Sequence, residues 1–418
     1  MKKSIIISTT LIFGLLATET SCKYHTEDSD AILGIITVTG GDINYTDVTV
    51  STPLPESIQP WRPLKMIEVT GNERRSVPAQ IAKIDSEDSP RIWFPVSGNL
   101  DAGAQRHFEL SYGDPIQKDG IRLDVNDRNI RFERDGQTMF VYNHGHVIPP
   151  DGIGPEFIRS GYIHPVYSPS GLLVTEDFPS SHDHHKGVWF PWTRTEFEGR
   201  SIDFWNLGAN EGTVQFAGIE SMSSGPVFMS LRVRHEFVDL TQPNGGKVAL
   251  DETWDLKAWS VNRDGYLWDL SSTQSPASES ALELLEFHYG GLGFRGAEQW
   301  HDDNHVILTS EGHTKKDGHE ERSRWVAHSG EISDGQWATV VIMVHPENER
   351  FPEPMRIWDE GGSFFCYSPV QLGNWTMQPG NDYVFRYRFY VFDGQIDAEK
   401  AEQMWQQFAH PPEVELNL

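Results

Sequence analysis

Apolar and polar residues alternate one for one along much of this chain, and that period of two constrains the fold more than any other feature. Met229, Leu231, Val233, His235 and Phe237 alternate with Ser230, Arg232, Arg234 and Glu236. Phe385, Tyr387, Phe389 and Val391 alternate with Arg386, Arg388 and Tyr390. Successive side chains of a strand point to opposite faces, so these runs predict antiparallel strands with one face buried. Val340–Val344 is apolar throughout, is closed by His345-Pro346, and predicts a central strand. Turn signals separate the runs, among them Asn244-Gly245-Gly246, Arg263-Asp264-Gly265 and Asp334-Gly335. No alternation of strand and helix patterns appears, which disfavours a Rossmann or (β/α)-barrel architecture. One helix is expected near the C-terminus, capped by Asp397, with Ala401, Met404, Trp405 and Phe408 at helical spacing.

Residues 32–117 read as a small β-sandwich domain with strands at 35–38, 48–50, 64–69, 91–95 and 107–112. Gly113-Asp114-Pro115 breaks the pattern. Residues 118–418 hold the histidine-rich motifs and are too many for an immunoglobulin-sized unit, so a large antiparallel β-sandwich is expected. Met1-Lys2-Lys3, the apolar run Ile5–Ala17 and the small residues before Cys22 read as a signal peptide, residues 1–21. Residues 22–31 read as a tether. The expectation is an exported protein, either anchored to the bacterial outer membrane by lipid on Cys22 or free in the periplasm. With Cys22 lipidated, Cys366 has no disulfide partner. The 61 acidic against 34 basic residues give a formal charge of −27. Such a surface repels phosphate backbones, so nucleic acid is not an expected partner.

The chemistry-bearing residues concentrate between 159 and 192. Tyr162-Ile-His164-Pro-Val-Tyr167 is followed by Ser181-His182-Asp183-His184-His185-Lys186-Gly187-Val-Trp189-Phe-Pro-Trp192. Imidazoles bind metal, move protons or hydrogen-bond polar ligands, and indoles form flat apolar walls with one donor each. The combination suits a polar small molecule such as a sugar. Extended geometry would put His182 and His184 on one face and Asp183 and His185 on the other. Three readings of the cluster stay open: part of a divalent metal site, with His182, His184 and His288 as candidate ligands; proton transfer and substrate binding; or structural packing against Trp189 and Trp192. The same parity places Tyr162 beside His164, a pair able to act as acid and base. A third group is Glu286-Phe-His288-Tyr289-Gly290-Gly291-Leu-Gly293-Phe-Arg295, in which Arg295 can clamp a carboxylate and parity sets Glu286 beside His288. Arg159 adds positive charge near Tyr162.

The first of these stretches resembles the bacterial PmoA-like family, whose members carry Tyr-x-His-Pro-x-Tyr-Ser-Pro-x-Gly. Tyr162, His164, Pro165, Tyr167, Ser168, Pro169 and Gly171 match it. The family's Asp-His-Pro-His-His-Arg-Gly-x-Trp block is matched at His182, His184, His185, Gly187 and Trp189. Ser181, Asp183 and Lys186 replace its aspartate, proline and arginine. The resemblance covers roughly residues 120–410. The methane oxygenase activity in the label does not suit a chain without later spanning segments. What the resemblance implies is an exported protein of carbohydrate-degrading bacteria, some relatives being associated with oligosaccharide dehydration or elimination.

The expectation is therefore a mainly β, carbohydrate-active protein, its large sandwich resembling the galactose-mutarotase type. The expected reaction is β-elimination or dehydration at a uronate residue of an oligosaccharide. His184 or His185 would be the base, Tyr162 the acid or alternate base, and Lys186 and Arg295 the carboxylate neutralisers. His164, His182, His288, Tyr289, Arg159 and Trp189 would hold substrate. The alternatives are glycoside hydrolysis using Glu286 and Asp183, and a non-catalytic glycan-binding lipoprotein.

Overall fold

The computed structural model describes residues 31–83, 89–116, 120–242, 246–261 and 264–418. The expected signal peptide, Cys22 and all but the last residue of the tether lie outside the described residues, as do parts of two turn signals, at 244–245 and 263. The chain is mainly β, with a small and a large antiparallel sandwich.

In the small sandwich, Ile32–Thr39, Gln105–Tyr112, Leu64–Thr70 and Glu73–Val77 are adjacent in that order in one sheet. Tyr45–Pro53, Arg91–Leu100 and Gln80–Ala82 form the other. Alternate residues such as Ile36, Val38, Phe94, Val96, Phe108 and Leu110 fill the space between them. All five strands expected from the pattern are present. Glu73–Val77 escaped that reading because four of its five residues are exposed and its sequence, Glu-Arg-Arg-Ser-Val, carries no alternation of hydrophobicity. The chain's last strand, Glu413–Asn417, pairs with Ile32–Thr39, so the C-terminus returns to the N-terminal sheet.

The large sandwich packs an eight-stranded sheet against a nine-stranded one through a single core. Four long strands, Gly212–Ser224, Phe228–Asp239, Lys247–Trp259 and Gly265–Pro276, follow one another as hairpins in the first sheet. It continues with Tyr383–Asp393, Gln336–Val344, Trp325–Ser333 and His305–Thr309. A four-stranded sheet adds Phe197, Ile202, Leu282, Leu284, Trp375 and Met377 to the same core. Trp268 and Phe389 lie parallel there, 3.9 Å apart. Truncating a buried tryptophan of this kind costs about 3–5 kcal/mol.

Val340–Val344 is apolar throughout because both faces of its strand are covered. Val340 and Ile342 enter the main core, while Val341 and Met343 meet the helix Ala398–Ala409 through Met404 and Trp405. Asp397 caps that helix by accepting from the Lys400 amide at 3.0 Å.

Candidate functional site

Strand register decides which side chains meet. Ile163 is paired with Val188, Val188 with Phe294, and Phe294 with Phe365. All four enter the main core. Their neighbours along each strand must face the other way. One row across the nine-stranded sheet therefore reads Tyr162, Trp189, Gly293, Cys366 and Arg356. The next reads His164, Gly187, Arg295, Phe364 and Trp358. Tyr162, Trp189, Trp205, Phe364 and Cys366 form a separate aromatic-rich cluster on this face, joined by Tyr289 and Trp358. Gly293 is needed here, since a Cβ would stand 3.0 Å from both Trp189 and Trp205.

The segment 177–186 folds back over this face instead of running extended. The His182 amide donates to the Pro179 carbonyl and the His185 amide to that of His182, each at 2.8 Å. In a turn the strand parity argument fails. His182, His184 and His185 come together, with ring centroids 4.7–5.7 Å apart, rather than splitting to two faces. Trp358 lies 4.6 Å from His182, and Phe364 stacks on His185 at 4.6 Å. At Gly187 a Cβ would stand 2.5 Å from the Ile163 carbonyl, so only glycine lets this segment dock so closely.

Asp177 is the hub beneath the turn. Its Oδ2 accepts from the Tyr162 hydroxyl at 2.6 Å, and Lys186 Nζ stands 3.1 Å from Oδ1 as an ion pair. Lys186 Nζ also sits 3.0 Å over the Phe178 ring. Arg295 Nε donates to Glu176 at 2.9 Å, and His164 Nδ1 lies 3.0 Å from Thr175 Oγ1. Tyr162 and Lys186 are 0% exposed, and Arg159 and Arg295 1%. The three guanidinium nitrogens of Arg159 have no hydrogen-bond partner among the described residues.

Burial sets the charge states. It pushes His184 down to about 4, helped by His182 and Lys186. It also lowers His185, with the neighbouring His184 and Arg295 adding to it, and lowers His182 and His164. All four imidazoles are neutral at pH 7. Lys186 is pushed down to about 8 by burial, against the pull of Asp177. The Tyr162 phenol is raised well above its usual value by burial and by Asp177, so it is a protonated donor.

The face thus gathers Tyr162, His164, His182, His184, His185, Lys186, Trp189 and Arg295. Tyr289 reaches it at Trp205, 5.3 Å away, with its hydroxyl 2.9 Å from Asn206 Nδ2. His288 does not join the other histidines. Residues 285–292 form no strand, and His288 is exposed toward Arg356, His319 and Glu320. Glu286 is exposed on the same loop, outside any strand. Among the described residues no three His, Cys, Asp or Glu side chains stand close enough to hold a metal ion. The candidate trio His182, His184 and His288 is split. Arg159 and Trp189, expected to touch substrate, are sealed from solvent and underlie the site.

Sequence reasoning missed Asp177 and Glu176, which lie between the two motif stretches, and Trp358 and Arg356, which reach the site through strand pairing with no local motif. Cavities of about 440 and 530 Å³ lie elsewhere, around Trp93 and Lys257. No described helix is long and apolar enough to cross a membrane.

Among solved structures, the chain is similar to heparan sulfate lyase HepC from Pedobacter heparinus, at 10% identity and a TM-score of 0.34. The match covers 69% of this chain and 38% of the lyase. It is also similar to a GalM/aldose epimerase homologue from C. elegans, at 10% identity and a TM-score of 0.28, covering 66% of this chain and 99% of that one. No curated protein matches it in sequence. Residues 129–406, which carry the whole of this face, match one family model, and the chain belongs to that family, a family of unknown function designated DUF6807.

Proposed function

We propose that this face is the active site of a carbohydrate-active enzyme that breaks a carbon–oxygen bond by elimination at a uronate residue of an oligosaccharide. The observation that carries the proposal is the meeting, on one sheet face, of neutral imidazoles with the buried cations Lys186 and Arg295.

Removing the proton beside a carboxylate needs a base, a positive field for the developing charge, and an acid for the leaving oxygen. His184 is the base: it is half-buried, neutral, and more accessible than His185, which is 2% exposed and backs it. Lys186 and Arg295 act through space, because their burial prevents contact with substrate. Charges act more strongly in such a low-dielectric setting than in water. Tyr162 is protonated, so it is not the base, and it is as deeply buried as Lys186 and already donates to Asp177, so the leaving oxygen takes its proton from water. His164 and His182 position the sugar, with Trp358 and Tyr289 as apolar walls. The C–H bond beside the carboxylate breaks, and its electrons form a carbon–carbon double bond. The neighbouring C–O bond breaks toward oxygen, which takes a proton. A glycosidic oxygen leaves with chain cleavage, and a hydroxyl leaves as water.

Glycoside hydrolysis would need two free carboxyl groups flanking the bond. Of the expected pair, Glu286 is exposed on the loop 285–292 and Asp183 sits in the histidine turn, on separate segments, and the carboxylates on the site face, Asp177 and Glu176, are already held by Tyr162, Lys186 and Arg295. Export with lipid on Cys22 belongs to the same reading, and the mass of the mature N-terminal peptide tests it. The reaction is tested by incubation with a panel of uronate oligosaccharides. Growth of the ultraviolet band of a conjugated double bond supports it, and a panel left unchanged refutes it.

A further inference from the structure

We infer that Arg356, with His319 and His288 beside it, forms the subsite that takes the carboxylate of the acidic sugar by direct contact. This rests on the proposed function and assigns a task that Lys186 and Arg295 cannot perform. Those two are sealed from solvent and already face Asp177 and Glu176. Arg356 differs on both counts. It is half-buried rather than sealed, and no ion pair to it forms among the described residues. Its Nη1 instead donates to His319 Nε2 at 2.7 Å. A guanidinium carries five N–H donors in a planar fork suited to a carboxylate, so that bond leaves donors for a ligand.

Register places Arg356 on the site face. It is paired with Cys366, which is paired on its other side with Gly293. Two residues on, just past the end of its strand, is Trp358, the indole against His182. Arg356 lies two strands from Arg295, about 10 Å across the sheet, a gap that a sugar ring can bridge. The aromatic cluster is therefore flanked by the histidine turn on one side and by Arg356, Tyr289 and His288 on the other. His288 and His319 are both lowered, by burial first and then by Arg356. His319 is spent on holding the guanidinium, since its Nε2 accepts from Arg356 with Glu320 Oε1 3.5 Å from that nitrogen and its Nδ1 is buried; the exposed His288 is the imidazole able to add an N–H donor.

The test is calorimetric binding of a uronate oligosaccharide and of its carboxyl-reduced, neutral counterpart to the full chain. Wild type should prefer the acidic form by about 10–100-fold, the span of a charge-assisted bidentate contact. Arg356→Gln should lose most of that preference, and Arg356→Lys should keep part of it. A merely structural arginine would weaken both ligands alike, and that result overturns the subsite, as does an Arg356→Gln protein that keeps the full preference. In both cases the proposed function stands. If wild type binds the two forms equally, or binds neither, the acidic-sugar reading fails and the subsite with it. Melting curves of both variants confirm that the comparison is made on folded protein.

Discussion

The Tyr162 hydroxyl donates to Asp177 across 2.6 Å, and the same carboxylate holds the Lys186 ammonium at 3.1 Å. One side chain thus fixes the phenol and the cation of the site, both without solvent exposure. Replacing Asp177 with Asn leaves Lys186 buried with no counter-charge, which typically costs about 3–5 kcal/mol. A clear fall in melting temperature is expected. Asp177→Asn combined with Lys186→Met should recover part of the loss, because no buried charge then lacks a partner. An unchanged melting temperature in the single variant would remove Asp177 from its central place.

His184→Ala and His185→Ala should fail differently. His184 is half-buried and its ring contacts are with His182 and His185, so its variant should stay folded and bind substrate. Turnover should fall about 10²–10⁴-fold, the usual contribution of a general base. His185 is stacked on Phe364 and is 2% exposed, so its loss should appear first as a lower melting temperature. Equal melting temperatures and equal rates for the two variants would contradict this division.

Where the chain runs as strands, its sequence was legible in detail. Period two placed Tyr162 with His164 on one face, and the long alternating runs 229–237 and 385–391 are strands of the eight-stranded sheet. The same rule failed at His182–His185, because it assumes an extended backbone and this segment turns, while Glu286–His288 lies outside any strand. Asp177 lies between the two motif stretches but carries no motif of its own, and Trp358 and Arg356 were not legible at all. They join the site through pairings such as Arg356 with Cys366 and Cys366 with Gly293, and no local spacing encodes which distant strands become neighbours. Glu413–Asn417 stayed hidden for a similar reason: it is short, alternates only Val414 and Leu416 inward, and finds its partner at the far end of the chain.

The rate should depend on pH through two groups. His184 must be neutral to accept a proton, and with its pKa pushed down to about 4 it stays neutral until the solution is that acidic. Lys186 must be charged to stabilise the developing anion, and it loses its proton as pH rises through about 8. Turnover should therefore fall on the acid side toward pH 4 and on the alkaline side above about 8. Lys186→Gln should be slower throughout and should lack the alkaline fall. An alkaline limb that persists unchanged in that variant would assign it to another group.

A separate pH effect should appear in stability. Glu353 is 1% exposed, accepts from Asn348 at 2.7 Å and from Tyr387 at 2.9 Å, and is pushed up by burial from 4.5 to about 7. Between those values the folded chain holds a proton that the unfolded chain has released. Stability from this group is complete below pH 4.5 and is lost as pH rises to about 7, by at most about 3 kcal/mol. Denaturant melts of wild type and Glu353→Gln across that range should show the slope in the first and a flatter line in the second. Parallel lines would show that Glu353 does not titrate in this window.

The most direct test of the central claim is the mass balance of the reaction on a uronate oligosaccharide, read by mass spectrometry for wild type and His184→Ala. Elimination predicts fragments whose masses sum to that of the substrate, or a single product one water lighter, formed by wild type and strongly slowed in the variant. Fragments that together weigh one water more than the substrate would show hydrolysis, and an intact substrate recovered from a tight complex would show a binding protein; either would contradict the account.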